Sequence, residues 1–93
     1  LIVSDKLRVA LKILDIFSQN KALRSFSIVK IDIENPSKIS FYLSDQLEIV
    51  IDNENIPKRI DTLGVILVRA KLDWERIRYI DLRFEEPVIK YDE

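Results

Sequence analysis

The sequence predicts an α+β domain: a mixed, mostly antiparallel sheet of about five strands with two helices on one face. Three observations carry this. Two segments, residues 5–20 and 57–73, space their apolar residues by three and four. Three segments between them, from Ser25 to Ile51, alternate apolar and polar residues and are joined by short turns. The last stretch, Tyr79 to Tyr91, alternates, breaks at Glu85-Glu86-Pro87 and alternates again, as two strands joined by a turn would.

In chain order, Ser4-Asp5 is suited to cap the first helix. Leu7, Ala10, Leu11, Leu14 and Phe17 form its main apolar stripe, and Val9, Ile13 and Ile16 widen it. This helix is expected to pack on the sheet and beside the second helix. Alternatively, part of so broad a face meets a neighbouring domain. Asn20-Lys21 ends it. Strand one is expected from Ser25 to Glu34, with a bulge near Ile28-Val29 where the alternation slips by one residue. Asn35-Pro36-Ser37 is a turn, and Ile39, Phe41 and Leu43 mark strand two. Ser44-Asp45-Gln46 turns the chain into strand three, marked by Leu47, Ile49 and Ile51. Two short turns in succession imply an antiparallel meander with one buried face.

Pro57 fits the first turn of the second helix, where its missing N–H costs nothing. Ile56, Ile60, Leu63, Leu67 and Ala70 line one stripe beside Ile66. Val65, Val68 and Leu72 form a smaller stripe expected to meet the first helix, and Arg69 and Lys71 complement the helix dipole. Strand three, this helix and strand four make a crossover, so strand four runs parallel to strand three. In strand four Tyr79, Asp81 and Arg83 share the face away from the helices, and Ile80, Leu82 and Phe84 share the covered one. The first three form either a solvated face with an exposed Asp–Arg pair, worth about 0–1 kcal/mol, or a docking face, since Tyr and Arg are enriched at hot spots. The final strand has none after it in the chain and is a candidate sheet edge, open to pairing with another polypeptide.

Ninety-three residues, 47% hydrophobic and 33% charged, make one small domain with a real core. A net charge of −1 argues against a nucleic-acid binder. With no Cys and no His, there is no disulfide framework, no thiol nucleophile and no His general base. The single glycine, Gly64, lies within a helix and excludes a glycine-rich phosphate loop. The carboxylate pairs Asp32/Glu34, Asp52/Glu54 and Glu85/Glu86 fit strand edges and turns and lack the spacing of an EF-hand loop. The basic group Arg69, Lys71, Arg76 and Arg78 reads as helix-end and surface charge, and Trp74 as packing at the helix exit. No enzyme, cofactor or metal is expected. No apolar run is long enough to span a membrane, and no signal peptide is visible. The opening on Leu1 suggests a piece of a longer protein whose anchoring segment lies elsewhere.

The ending Tyr79-Ile80-Asp81-Leu82-Arg83-Phe84 resembles the closing signature of the FtsQ/DivIB family of bacterial cell-division proteins. Pro36-Ser37-Lys38-Ile39-Ser40-Phe41-Tyr42-Leu43, followed by Leu47-Glu48-Ile49, is similar to that family's strand pair, and a helix precedes the signature in both. The resemblance runs through residues 5–91 and implies a non-enzymatic, membrane-anchored septum protein. This chain would be its β domain, without the transmembrane helix and the POTRA domain. The resemblance further implies a monomer that recruits the FtsB/FtsL pair on the extracytoplasmic side of the membrane, through a strand of FtsB added to the last strand's edge. By matching position, Arg83 would meet a partner carboxylate and Phe84 would pack on the partner, beside Tyr79. Val88, Ile89, Lys90 and Tyr91 would supply the backbone groups. One departure is the turn Glu85-Glu86-Pro87, glycine-containing in some family members; Pro87 has no N–H to donate. The other class of function open to such an edge is an extracytoplasmic POTRA-associated assembly adaptor with a different client.

Overall fold

The computed structural model describes residues 4–44, 46–68 and 76–91. Its elements run α1 (Asp5–Gln19), a 3-10 turn (Lys21–Leu23), β1 (Lys30–Asn35), β2 (Lys38–Ser44), β3 (Leu47–Ile51), α2 (Ile56–Val68), β4 (Ile77–Asp81) and β5 (Val88–Tyr91). The sheet order is β1-β2-β3-β4-β5. Only β3 and β4 run parallel; the other neighbouring pairs are antiparallel. The crossover through α2 therefore returns the chain to the strand directly beside the one it left, and the fold is the expected α+β mixed sheet.

Register explains how the sequence divides the two faces. Ile31, Phe41, Ile49, Ile80 and Ile89 stand in one transverse row across all five strands. Alternation along each strand puts Ile33, Ile39, Ile51 and Leu82 on the same side. Against that side pack Ile13 and Phe17 of α1 and Ile56, Ile60, Leu63, Ile66 and Leu67 of α2. Phe17 meets Phe41 edge-on, with ring centroids 6.1 Å apart, the geometry favoured by aromatic quadrupoles.

Ser4 caps α1 by accepting the Leu7 N–H at 3.1 Å. The helix buries only one end of the main stripe expected, Phe17, together with Ile13 from the flank. Ile13 and Phe17 lie in the core, flanked by Val9 and Ile16, whereas Leu7, Leu11 and Leu14 are exposed. The apolar arc is wider than one sheet contact can cover, and the β-branched side is the one that docks. Packing between the helical segments also differs from expectation. Val65 and Val68 are exposed, and Leu72, with Ala70, Arg69, Lys71 and Trp74, lies outside the described residues. The contact runs instead through Gly64, where a Cβ would lie 3.2 Å from Ala22 Cβ and 3.4 Å from Asn20 Oδ1. Asn20 Nδ2 donates to Asp61 Oδ1 at 3.1 Å beside it. The missing side chain thus lets the turn after α1 sit on α2. Gly64→Val is expected to lower stability by about 1–3 kcal/mol through overpacking, read as a lower urea midpoint; an unchanged midpoint would show that this contact is loose.

Strand β1 begins at Lys30, five residues later than expected, although Val29 N–H still donates to Tyr42 O at 2.8 Å. Phe26 and Ile28 are half-buried against the core from the segment leading into the strand. The register shift falls between Ile33 and Asn35, not near Ile28-Val29. The slip in alternation came from Phe26 and Ile28, which are apolar because they pack on the core ahead of the strand. Asn55, just before α2, takes a positive φ of 54°, a conformation its short polar side chain tolerates.

Candidate functional site

Among the described residues, β5 pairs with β4 and with no other strand, so its far side is a border of the sheet. Strand β1 forms the other border. Three large apolar residues near the β5 border are exposed: Phe84, Val88 and Tyr91. Of the other residues expected there, Ile89 is half-buried on the helix side and Lys90 is exposed on the open side. Lys90 Nζ sits 5.2 Å from the centroid of the Tyr79 ring, within cation–π range.

The face away from the helices carries two transverse rows. One reads Lys30, Tyr42, Glu48, Tyr79, Lys90; the other reads Asp32, Ser40, Val50, Asp81, Val88. Val50 and Asp81 are 0% and 3% exposed although α1 and α2 pack on the opposite face. Polar side chains tie this face together. Ser40 Oγ donates to Glu48 Oε2 at 2.9 Å. Tyr79 Oη donates to Asp81 Oδ2 at 3.0 Å. Arg83 Nη2 donates to Asp81 Oδ2 at 2.6 Å, and Arg83 Nε to Oδ1 at 2.9 Å. Tyr79, Asp81 and Arg83 therefore form one network, not a loosely solvated pair.

The same carboxylate ends the strand. Asp81 Oδ1 accepts the Arg83 backbone N–H at 3.0 Å, an Asx turn that competes with continued pairing. The chain bends over residues 83–86. Simple alternation puts Phe84 on the covered face with Ile80 and Leu82. The bend overturns this: Leu82 is buried at 1% exposure, whereas Phe84 turns outward at 54%. Its ring lies 5.6 Å from Arg83 Cζ. Arg83 Nη1 reaches the Ser37 carbonyl at 3.3 Å, which ties the bend to the β1–β2 turn. An open depression of about 510 Å³ results, walled by Phe84, Arg83, Ser37, Asp52 and Glu54 among others.

Charge states follow from this geometry. Burial alone would raise the Asp81 pKa; the hydrogen bonds from the Arg83 side chain and backbone and from Tyr79 outweigh it and hold the carboxyl below its usual range. Hydrogen bonding to Asp81 raises Arg83. Burial, followed by the hydrogen bond to Asp81, raises Tyr79. The two shifts act in opposite windows. The lowered carboxyl adds stability above its unfolded pKa of about 3.9, and this is lost as the pH falls through the folded value. The raised phenol adds stability below about pH 10, and this is lost as the pH climbs past that value. Urea titrations of the wild type are expected to weaken at both ends. In Asp81→Asn the acid limb should flatten; an equally steep acid limb would contradict the role given to Asp81.

The arrangement offers a free strand border, an aromatic at its end and a fixed guanidinium. Among the described residues, no three carboxylates come together to hold a metal ion. These features describe a small mixed-sheet domain whose outer strand is bordered by exposed apolar residues. The match to the family model "Cell division protein FtsQ/DivIB, C-terminal", over residues 1–83, shows that the chain belongs to the FtsQ/DivIB family. Its role is therefore in cell division, in a family of non-catalytic, membrane-associated division proteins. No curated protein sequence matches the chain. The matched region contains Tyr79, Asp81 and Arg83 and stops just before Phe84, so β5 lies beyond it. Among the described residues, no helix is long and apolar enough to cross a membrane.

Proposed function

We propose that this domain is a non-enzymatic scaffold of the division septum that receives a strand of the FtsB/FtsL pair along β5. It does so as a monomer, on the extracytoplasmic side of a membrane to which the whole protein is anchored. The observation that carries the reading is the position of β5 as the outer strand, with Phe84, Val88 and Tyr91 exposed along it. An edge strand offers a row of unpaired N–H and C=O groups, and a guest strand takes affinity from them and specificity from the side chains between. The opposite border is less suited: β1 exposes Lys30, Asp32 and Glu34, and charges on an edge blunt pairing. Tyr79 supports Lys90 from beneath, and Arg83 faces a partner carboxylate beside Phe84.

Because β5 lies beyond the residues matched to the family, a second client class stays open: an adaptor of POTRA-associated assembly that uses the same edge for another peptide. Calorimetry with the soluble FtsB/FtsL pair separates the two. Saturable binding is expected, weakened about tenfold by Phe84→Ala, as for a hot-spot aromatic. No binding would reject the divisome partner, and equal affinity for the variant would remove Phe84 from the interface.

A further inference from the structure

We propose that Lys90 is a specificity residue of this edge and selects a guest strand carrying an acidic residue in register with it. The inference rests on the strand-addition reading above and adds the chemistry of the guest. Its starting point is the open-face row Lys30, Tyr42, Glu48, Tyr79, Lys90. Inside the row, unlike groups adjoin: Lys30 stands over the Tyr42 ring at 5.4 Å and Lys90 over the Tyr79 ring at 5.2 Å, with Glu48 between the two tyrosines. A sixth strand would extend the row by one position, directly beside Lys90. Opposite charges at such cross-strand positions attract and like charges repel.

Arg83, another cation near this border, places Nη2 at 2.6 Å from Asp81 Oδ2 and so shares its charge with that carboxylate before any partner arrives. Lys90 is exposed, and its described neighbour is the Tyr79 ring rather than a carboxylate. The ring holds the ammonium over the open face, on the side where a guest residue in register would project. The guest positions on either side of that acid project to the helix side, one extending the row that ends in Ile89 and the other standing beside Tyr91; apolar residues suit them. The selected segment is therefore extended, with an acidic residue flanked by apolar ones.

The test displays seven-residue segments of alternating pattern with the central residue randomised, and sorts them on the wild-type domain, Lys90→Glu and Lys30→Glu. The wild type is expected to enrich Asp and Glu over Lys and Arg by about twofold to fivefold at the centre. Lys90→Glu should reverse the preference, and Lys30→Glu, the same change at the other border, should keep it. Alternating segments enriched with the same central preference on wild type and Lys90→Glu would overturn the role of Lys90 while leaving the edge intact. An equal reversal by Lys30→Glu would reduce the effect to net charge and overturn it too. Failure to enrich any alternating segment, together with failure of the FtsB/FtsL pair to bind, would overturn the edge reading itself. Each variant's urea midpoint is measured alongside; because both lysines are exposed, the midpoints are expected to stay at the wild-type value.

Discussion

Asp81→Ala is expected to lower the unfolding free energy by about 1–3 kcal/mol, because it removes a buried acceptor shared by two part-buried donors rather than a free surface charge. The carboxylate is 4% exposed as a side chain, against 27% for Arg83. It accepts hydrogen bonds from the Tyr79 hydroxyl and from the Arg83 backbone and guanidinium. Losing it leaves a part-buried guanidinium and the Tyr79 hydroxyl without their shared acceptor and frees the bend that turns Phe84 outward. Chemical denaturation measures the loss. Arg83→Leu added to Asp81→Ala should recover part of it, since the unpaired charge is then gone as well. A single-variant loss under about 0.5 kcal/mol would mean that the pair behaves as a surface salt bridge.

Proline placed along β5 should separate binding from folding. In an antiparallel edge strand, successive residues direct their N–H alternately to the paired neighbour and to the open side. Proline has no N–H and clashes in a paired strand. Of Ile89→Pro and Lys90→Pro, one is therefore expected to destabilise the β4–β5 pair. The other is expected to leave the urea midpoint within about 1 kcal/mol of wild type while weakening the FtsB/FtsL interaction by about tenfold or more, through the lost N–H donor and the clash of the proline ring with the guest strand. Calorimetry on the variant that stays folded is the readout. Full affinity in that variant would exclude strand addition at β5.

Much of this fold was legible because the apolar residues facing the helices keep one phase along the central strands. Ile39, Phe41, Ile49, Ile51 and Ile80 alternate cleanly, and their rows fall on the helix side as the pattern predicts. The stripe from Ile56 to Leu67 gave α2 for the same reason, since a single face satisfies its spacing. Residues whose role depends on something other than spacing were not legible. Leu11 and Ile13 are equally apolar, and only the docking angle of α1 decides that one is exposed and the other buried. Val29 looks like a strand residue, but it precedes the strand and is exposed. Gly64 gave no hint that it marks a close approach, because the neighbour, Ala22, lies far away in sequence.

The site divides along the same line. The border position of β5 followed from chain order and the two terminal alternations. The outward turn of Phe84 did not, because it depends on Asp81 capping the Arg83 N–H. Asp81 is a residue type that favours an Asx turn, but the alternation runs on past it through Phe84 and hides the bend. The burial of Asp81 on the face opposite α1 and α2 was also hidden. It needs Tyr79 and Arg83 to close over one carboxylate, which spacing permits but does not require.

The account stands on the free main-chain groups of β5, and amide hydrogen exchange reads them directly. In the isolated domain, the open-side amides among residues 88–91 are expected to exchange rapidly while those facing β4 are protected. With the FtsB/FtsL pair bound, the open-side amides should slow by about a hundredfold or more, as new backbone hydrogen bonds form. Binding that slows amides elsewhere and leaves the open side of β5 exchanging at its free rate would contradict the account.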